Sequence, residues 1–144
     1  NISMGDKVDI SLLSEPTQED MQKIFAGLGA YNEPFAGKWD LERLVIHAKN
    51  DKGEVIGGVV GETFWKWLKI SGLWIDESQR KKGLGSKLMA QAESEASRRG
   101  CKNVLLQTFS FQARPFYEKL GYQTVATIEN FPPGHSEHTM TKEL

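Results

Sequence analysis

Apolar and polar positions alternate along Val8-Asp9-Ile10-Ser11-Leu12, the pattern of a half-buried strand. Ser14, Pro16 and Thr17 then supply helix-start chemistry, and Met21, Ile24, Phe25 and Leu28 recur at helical spacing. Gly27 and Gly29 weaken this helix toward its end, and residues 32–37, with Pro34 among them, read as a loop. Two apolar runs, Leu44-Val45-Ile46 and Val55-Ile56, flank the turn sequence Asn50-Asp51-Lys52-Gly53, so a hairpin is expected. Gly57, Gly58 and Gly61 thin out its second strand. Residues 63–70 alternate again, with Phe64, Lys66 and Leu68 set against Trp65, Trp67 and Lys69, and predict a further strand. Leu73-Trp74-Ile75 predicts a short buried strand that completes an antiparallel meander.

Between residues 83 and 99 the period becomes helical, with Leu84, Leu88, Ala92 and Ala96 along one stripe and Met89 beside it. Arg98 and Arg99 complement the negative end of that helix, and Gly100 suits a left-handed cap. Val104-Leu105-Leu106 is apolar without alternation, as a strand covered on both faces would be. A short helix is expected over residues 112–120, stopped by Gly121, with Pro115 in its first turn. Strands over 122–128 and 138–144 close the chain. The order predicts one α/β domain spanning residues 1–144, built on a mixed sheet.

Composition narrows what such a domain can do. With 144 residues the chain is long enough to bury a core unaided, and at 39% hydrophobic and 26% charged it is globular in character. Eighteen basic against nineteen acidic residues give a net charge of −1, so bulk charge draws the protein to neither nucleic acid nor anionic lipid. One cysteine, Cys101, excludes an intrachain disulfide and a multi-cysteine metal site. The apolar runs fall short of a bilayer span and the opening residues do not read as a secretion signal, so a cytoplasmic location is expected. Asn1-Ile2-Ser3 reads as residues added ahead of a start at Met4.

The most informative stretch is Gln79-Arg80-Lys81-Lys82-Gly83-Leu84-Gly85-Ser86, between a strand and the longest expected helix. Unpaired N–H groups at a helix start bind anions, and glycines let a ligand approach the backbone closely. The blander alternative is an ordinary turn with a solvated basic run. Two nucleotide motifs fit poorly: Gly85 is followed by Ser86-Lys87 in the reverse of the P-loop order, and Leu88 occupies the third glycine place of the dinucleotide fingerprint. Arg80-x-x-Gly83-x-Gly85 resembles the acyl-CoA-binding motif of the GNAT acetyltransferase superfamily, usually Gln/Arg-x-x-Gly-x-Gly/Ala. Ala113-x-x-Phe116-Tyr117-Glu118-Lys119-Leu120-Gly121-Tyr122 resembles the family's late helix ending in Leu-Gly-Phe/Tyr.

The resemblance implies a GNAT fold, with a mixed, mostly antiparallel central sheet flanked by helices. It also implies transfer of acetyl from acetyl-CoA, as cosubstrate, to a primary amine. Backbone amides of Arg80, Lys81, Lys82, Gly83, Leu84, Gly85 and Ser86 would then hold the CoA pyrophosphate, and the edge of Leu73, Trp74 and Ile75 would bond the pantetheine arm. That strand would diverge from the Val104 strand to leave a cleft. Tyr117 matches the family's proton donor, a phenol of ordinary pKa about 10 able to protonate a departing thiolate. The alternative is that Phe116, Tyr117 and Leu120 are simply an apolar stripe.

Two positions depart from the family. Ser110 stands where many relatives carry a CoA-contacting asparagine, and Leu105 where some carry a glutamate base. Glu62, Asp76 or Glu77 could serve as base through a water, or bulk solvent could take the proton; a solvated strand end is the simpler reading of each. His135 and His138 fall on opposite faces of a strand and lack further ligands, so no metal is expected; a substrate-loop role suits them better. His47 reads as structural and Cys101 as incidental, with no activating partner. Trp39, Phe64, Trp65, Trp67 and Trp74 suit sheet packing or a homodimer surface, with Trp65 and Trp67 on one face; an aromatic wall for a cationic amine is the functional alternative. Acyl transfer to a small-molecule amine by direct attack is the leading expectation. A non-catalytic acyl-CoA-binding or sensor module and a phosphate site for another nucleotide are its rivals.

Overall fold

The computed structural model describes residues 2–4 and 7–144; Asn1 lies outside the described residues. The chain divides into two compact units, Asn1–Trp39 and Asp40–Leu144. In the first, β1 (Ile2–Met4) pairs antiparallel with β2 (Val8–Ile10), and α1 (Gln18–Ala36) follows. Thr17 caps α1 in a closed box. Its hydroxyl accepts from Asp20 N–H at 3.2 Å, while Asp20 accepts from Thr17 N–H at 2.9 Å. The helix passes through Gly27, Gly29 and Pro34, so the loop expected from residue 32 is not formed. Pro34 stands only two residues before the helix ends at Ala36, so the bond its missing N–H forgoes interrupts little of the helix, and Gly37 accepts the chain reversal at φ 75°.

The second unit carries a six-stranded sheet and two helices. Its strands are β3 (Glu42–Lys49), β4 (Val55–Phe64), β5 (Trp67–Ile75), β6 (Asn103–Phe109), β7 (Gln123–Glu129) and β8 (Ser136–Glu143). The spatial order is β3-β4-β5-β6-β8-β7, and only β5–β6 is parallel. In the expected hairpin turn, Asn50 Oδ1 accepts from both Lys52 and Glu54 N–H at 3.0 Å. The strand expected over 63–70 is instead two strands. Trp65 and Lys66 form the turn between β4 and β5 at φ 47° and 65°. Both residues lie in the left-handed region that hairpin turns need but that Asn-Gly normally supplies, so the turn left no mark in the sequence. Trp65 therefore does not share a strand face with Trp67.

α2 (Leu84–Arg98) lies across this sheet, its stripe of Leu88, Met89, Ala92 and Ala96 buried with Leu44, Val59, Leu68, Ile70, Val104, Leu106 and Met140. α3 (Arg114–Lys119) begins two residues later than expected, with Pro115 in its first turn. Among the described residues no helix is long and apolar enough to cross a membrane.

One carboxylate clamps the end of α2. Glu95 accepts from Arg98 at 2.6 and 2.8 Å and from Arg99 Nε at 2.8 Å, and Arg99 reaches on to Thr63 Oγ1 at 3.1 Å. Those bonds, Arg98's first, pull the Glu95 pKa from 4.5 to about 2. A lowered carboxylate pKa adds stability above its unfolded value, which is lost as pH falls from 4.5 toward 2. Urea unfolding midpoints measured across that range should therefore fall less steeply in Glu95→Gln than in the parent.

Candidate functional site

The loop after β5 is assembled by local bonds. Asp76 accepts from Ser78 through both its N–H, at 3.0 Å, and its hydroxyl, which holds the Asp76 carboxyl below its ordinary range. Arg80 folds back, its Nε donating to the Ile75 carbonyl at 3.2 Å and its N–H to Glu77 O at 3.3 Å. Arg80 therefore offers no open backbone amide, contrary to the expectation that its amide joins those of Lys81 onward. Lys81 and Gly83 sit at φ 64° and 80°, and Lys87 N–H closes the first turn of α2 on Gly83 O at 3.2 Å. The N–H groups of Lys81, Lys82, Gly83, Leu84, Gly85 and Ser86 donate to no acceptor among the described residues. Lys81 and Lys82 are exposed beside them. A run of open donors at a helix start, with two cations adjacent, is built to hold an anion.

The expected cleft is present. β5 and β6 pair only at Trp67↔Asn103, Leu68↔Val104 and Lys69↔Leu105, after which β5 stays with β4 and β6 with β8. Between Ile70 and Gly72 the β4–β5 register shifts, and Ser71 is the extra residue. Asp76 N–H donates back to Ile56 O at 2.8 Å, which sets the parity of the strand end. Trp74 accordingly turns its backbone groups toward β4, while Leu73 and Ile75 turn theirs to the open edge. Of the three residues expected to present that edge, Trp74 does not. The residue is 51% exposed, so this strand end is not the buried one expected, although Leu73 and Ile75 pack against the core.

Tyr117 lies on α3, whose start is pinned to β6: Phe109 N–H donates to Gln112 Oε1 at 2.9 Å and Ala113 N–H to Thr108 Oγ1 at 3.4 Å. The tyrosine is 8% exposed, held edge-on between Phe116 at 5.0 Å and Tyr122 at 5.9 Å. Burial pushes its phenol pKa above the ordinary value, so it carries its proton at neutral pH. Its hydroxyl has no protein partner among the described residues, and the oxygen is not sealed from solvent. Tyr122 is different: its hydroxyl donates to Glu93 at 2.8 Å, and Lys142 bonds the same carboxylate at 2.8 Å. Sequence reasoning placed Phe116 in the late-helix motif and in an apolar stripe but did not foresee that it joins the parts. A Cβ on Gly85 would lie 3.1 Å from its ring and 3.8 Å from Ile75, so loop, strand end and α3 meet at one point.

Ser110 follows β6 and is tied to β8. Its N–H donates to Ser136 O at 2.8 Å and its hydroxyl oxygen accepts from Ser136 N–H at 3.1 Å. Leu105 sits at the last β5–β6 pair. Glu62 lies on β4 opposite Arg43 and Lys69, Asp76 is engaged with Ser78, and Glu77 is exposed in the following turn. His138 is buried, its Nδ1 2.9 Å from Thr127 Oγ1, whereas His135 sits in the β7–β8 loop; the two do not share a strand. Among the described residues no group of three His, Cys, Asp or Glu is placed to hold a metal. Cys101 is buried in the core, and burial raises its thiol pKa.

A helix start with open amides, a sheet that parts beside it and a buried tyrosine joined to them through Phe116 are parts that an acyltransferase requires. The chain matches the Acetyltransferase (GNAT) family over residues 12–122 and belongs to that family of acyltransferase enzymes. It is 42% identical to blasticidin-S acetyltransferase of Streptomyces morookaense over 105 residues, 72% of this chain and 77% of that protein. The crystal structure of an acetyltransferase from Bacillus cereus superposes with a TM-score of 0.82 at 36% identity, covering 93% of this chain and 98% of that one. An aminoglycoside 6'-N-acetyltransferase solved with coenzyme A shares the fold, with a TM-score of 0.63 at 21% identity over 71% of this chain and 73% of that one.

Proposed function

We propose that the protein is an N-acetyltransferase that moves acetyl from acetyl-CoA to a primary amine of a small molecule, by direct attack within a ternary complex. The carrying observation is the junction at Phe116, which places the open amides of α2, the free edge of β5 and Tyr117 along one wall. The pyrophosphate of the donor lies on the amides from Lys81 to Ser86, with Lys81 and Lys82 adding charge. The pantetheine arm bonds the outward backbone groups of Leu73 and the outward N–H of Ile75, whose carbonyl already accepts from Arg80 Nε, as an added strand would. The amine nitrogen attacks the thioester carbonyl and forms the new C–N bond. Backbone donors beside the parted strands stabilise the oxyanion. The C–S bond then breaks, Tyr117 protonates the departing thiolate, and the proton lost by the amine passes to solvent, since Leu105 offers no base. Direct attack is favoured over an acetyl-enzyme because Cys101 is packed in the core with its pKa raised.

The name of the Streptomyces relative supports a small molecule as acceptor and makes blasticidin S the first compound to test. Free-thiol release from acetyl-CoA should be stimulated by blasticidin S or another primary amine in a panel, with one acetyl transferred per thiol. At 100 times its dissociation constant, acetyl-CoA should add about 2.7 kcal/mol to stability. Stabilisation by ATP but not by acetyl-CoA, or thiol release that no amine stimulates, would overturn this reading.

A further inference from the structure

We propose that the open cavity between the end of β6 and the β7–β8 loop holds the acceptor through a second cationic group, with Glu129 as its counter-charge. This rests on the acetyltransferase reading above and adds to it a class of acceptor. The cavity has a volume of ≈ 400 Å³ and is lined by Ser110, Glu129, Asn130, Gly134, His135 and Ser136. That volume is in the range of small-molecule sites. Its position suits an acceptor. Ser110 directly follows Phe109, the last residue of β6, and β6 is one of the two strands whose parting opens the cleft. The end of a single strand thus serves both spaces.

The walls are fixed before any ligand arrives. Ser110 and Ser136 are doubly bonded to each other, Phe131 N–H donates to His135 O at 3.3 Å, and His135 N–H to Pro132 O at 2.9 Å. Asn130 Oδ1 accepts from Gly134 N–H at 3.3 Å. Three aromatic rings brace the loop: Phe111 meets His135 edge-on at 4.9 Å and stacks on Phe109 at 5.5 Å, and Phe131 meets Phe109 at 5.5 Å. Such a loop gives up little conformational freedom on binding.

Charge decides which ligand fits. Glu129 is the carboxylate among the six lining residues, and it makes no ion pair among the described residues. A carboxylate repels the phosphates of CoA, whose place is the basic loop of Lys81 and Lys82. The same carboxylate attracts an amidinium, guanidinium or ammonium, and the surrounding serine, asparagine and histidine groups offer hydrogen bonds to it. Acceptors with a second cation besides the reacting amine are therefore the preferred class.

A matched pair of acceptors tests this: 4-(aminomethyl)benzamidine and 4-(aminomethyl)benzamide share ring and primary amine and differ in charge. The wild-type KM should be about 10-fold lower for the benzamidine, the scale of one charged hydrogen bond. In Glu129→Gln the ratio of the two KM values should collapse toward one, and Glu129→Asp should keep part of it. An unchanged ratio in Glu129→Gln would overturn the assignment while leaving the acetyltransferase reading intact. Calorimetry of the benzamidine against the CoA-bound protein gives a readout that needs no turnover. Binding that depends on Glu129 without acetylation of either amine would count against the acetyltransferase reading and sustain the cavity; no binding, or equal binding by Glu129→Gln, would overturn the cavity.

Discussion

Tyr117→Phe is expected to lower kcat by about 10³-fold while leaving the affinity for CoA unchanged, since a positioned general acid contributes 10²–10⁴-fold. The phenylalanine fills the same space and keeps both edge-on ring contacts, at 5.0 Å to Phe116 and 5.9 Å to Tyr122. The hydroxyl it removes has no protein partner among the described residues, so no buried group is orphaned and stability should hardly move. A fall in kcat with an unchanged melting temperature separates proton donation from packing. The pH profile supplies a second reading. Burial raises the Tyr117 pKa, so any alkaline limb due to its ionisation lies above the ordinary phenol range and should vanish in the variant. Turnover equal to the parent's would remove Tyr117 from the mechanism.

Gly61→Ala should cost about 3 kcal/mol and lower the melting temperature by roughly 10 °C. A Cβ there would lie 2.6 Å from the backbone carbonyl oxygen of Lys69, with Leu68 Cδ1 at 3.3 Å and Ile70 Cα at 3.4 Å closing the other sides. The obstacle is main chain in the middle of the sheet, so no rotamer change relieves it. Lys69 is also the last residue of β5 paired with β6, so the same push disturbs the point where the cleft begins. Gly72→Ala is the matched control on β5: nothing lies within 4 Å of its added Cβ, and its thermal stability should stay close to the parent's. A melting temperature for Gly61→Ala within a degree or two of the parent's would mean that β4 and β5 are registered differently.

The features legible in the sequence are those governed by neighbours in the chain. Periodicity located α2 and its buried stripe, Asn50 to Gly53 declared its hairpin, and Gly83 with Gly85 pointed to the loop of open amides. Trp65-Lys66 escaped because positive φ was imposed there by the pairing of the long strands on either side, against the preference of both residues. Pro34 misled in the other direction, since the turns before it carry the helix and only two helical residues follow it. At the site, Tyr117 and the loop could be named, but three details depend on atoms far apart in sequence. These are the turning-away of the Trp74 backbone, the use of the Arg80 amide within its own turn, and the wedge of Phe116 against Gly85. Glu129 carried no signal at all; it becomes conspicuous only when the β7–β8 loop folds beside Ser110.

The parting of β5 and β6 bears on colloidal behaviour as well as on chemistry. Splitting a sheet partway along creates two additional strand edges, and bare edges ordinarily recruit other chains and seed aggregates. Here each new edge looks at its counterpart, and the slot between them is closed at one end by the pairing of Lys69 with Leu105. The edges made by the split are therefore less open to a neighbouring chain than the outer edges of β3 and β7, which end the sheet.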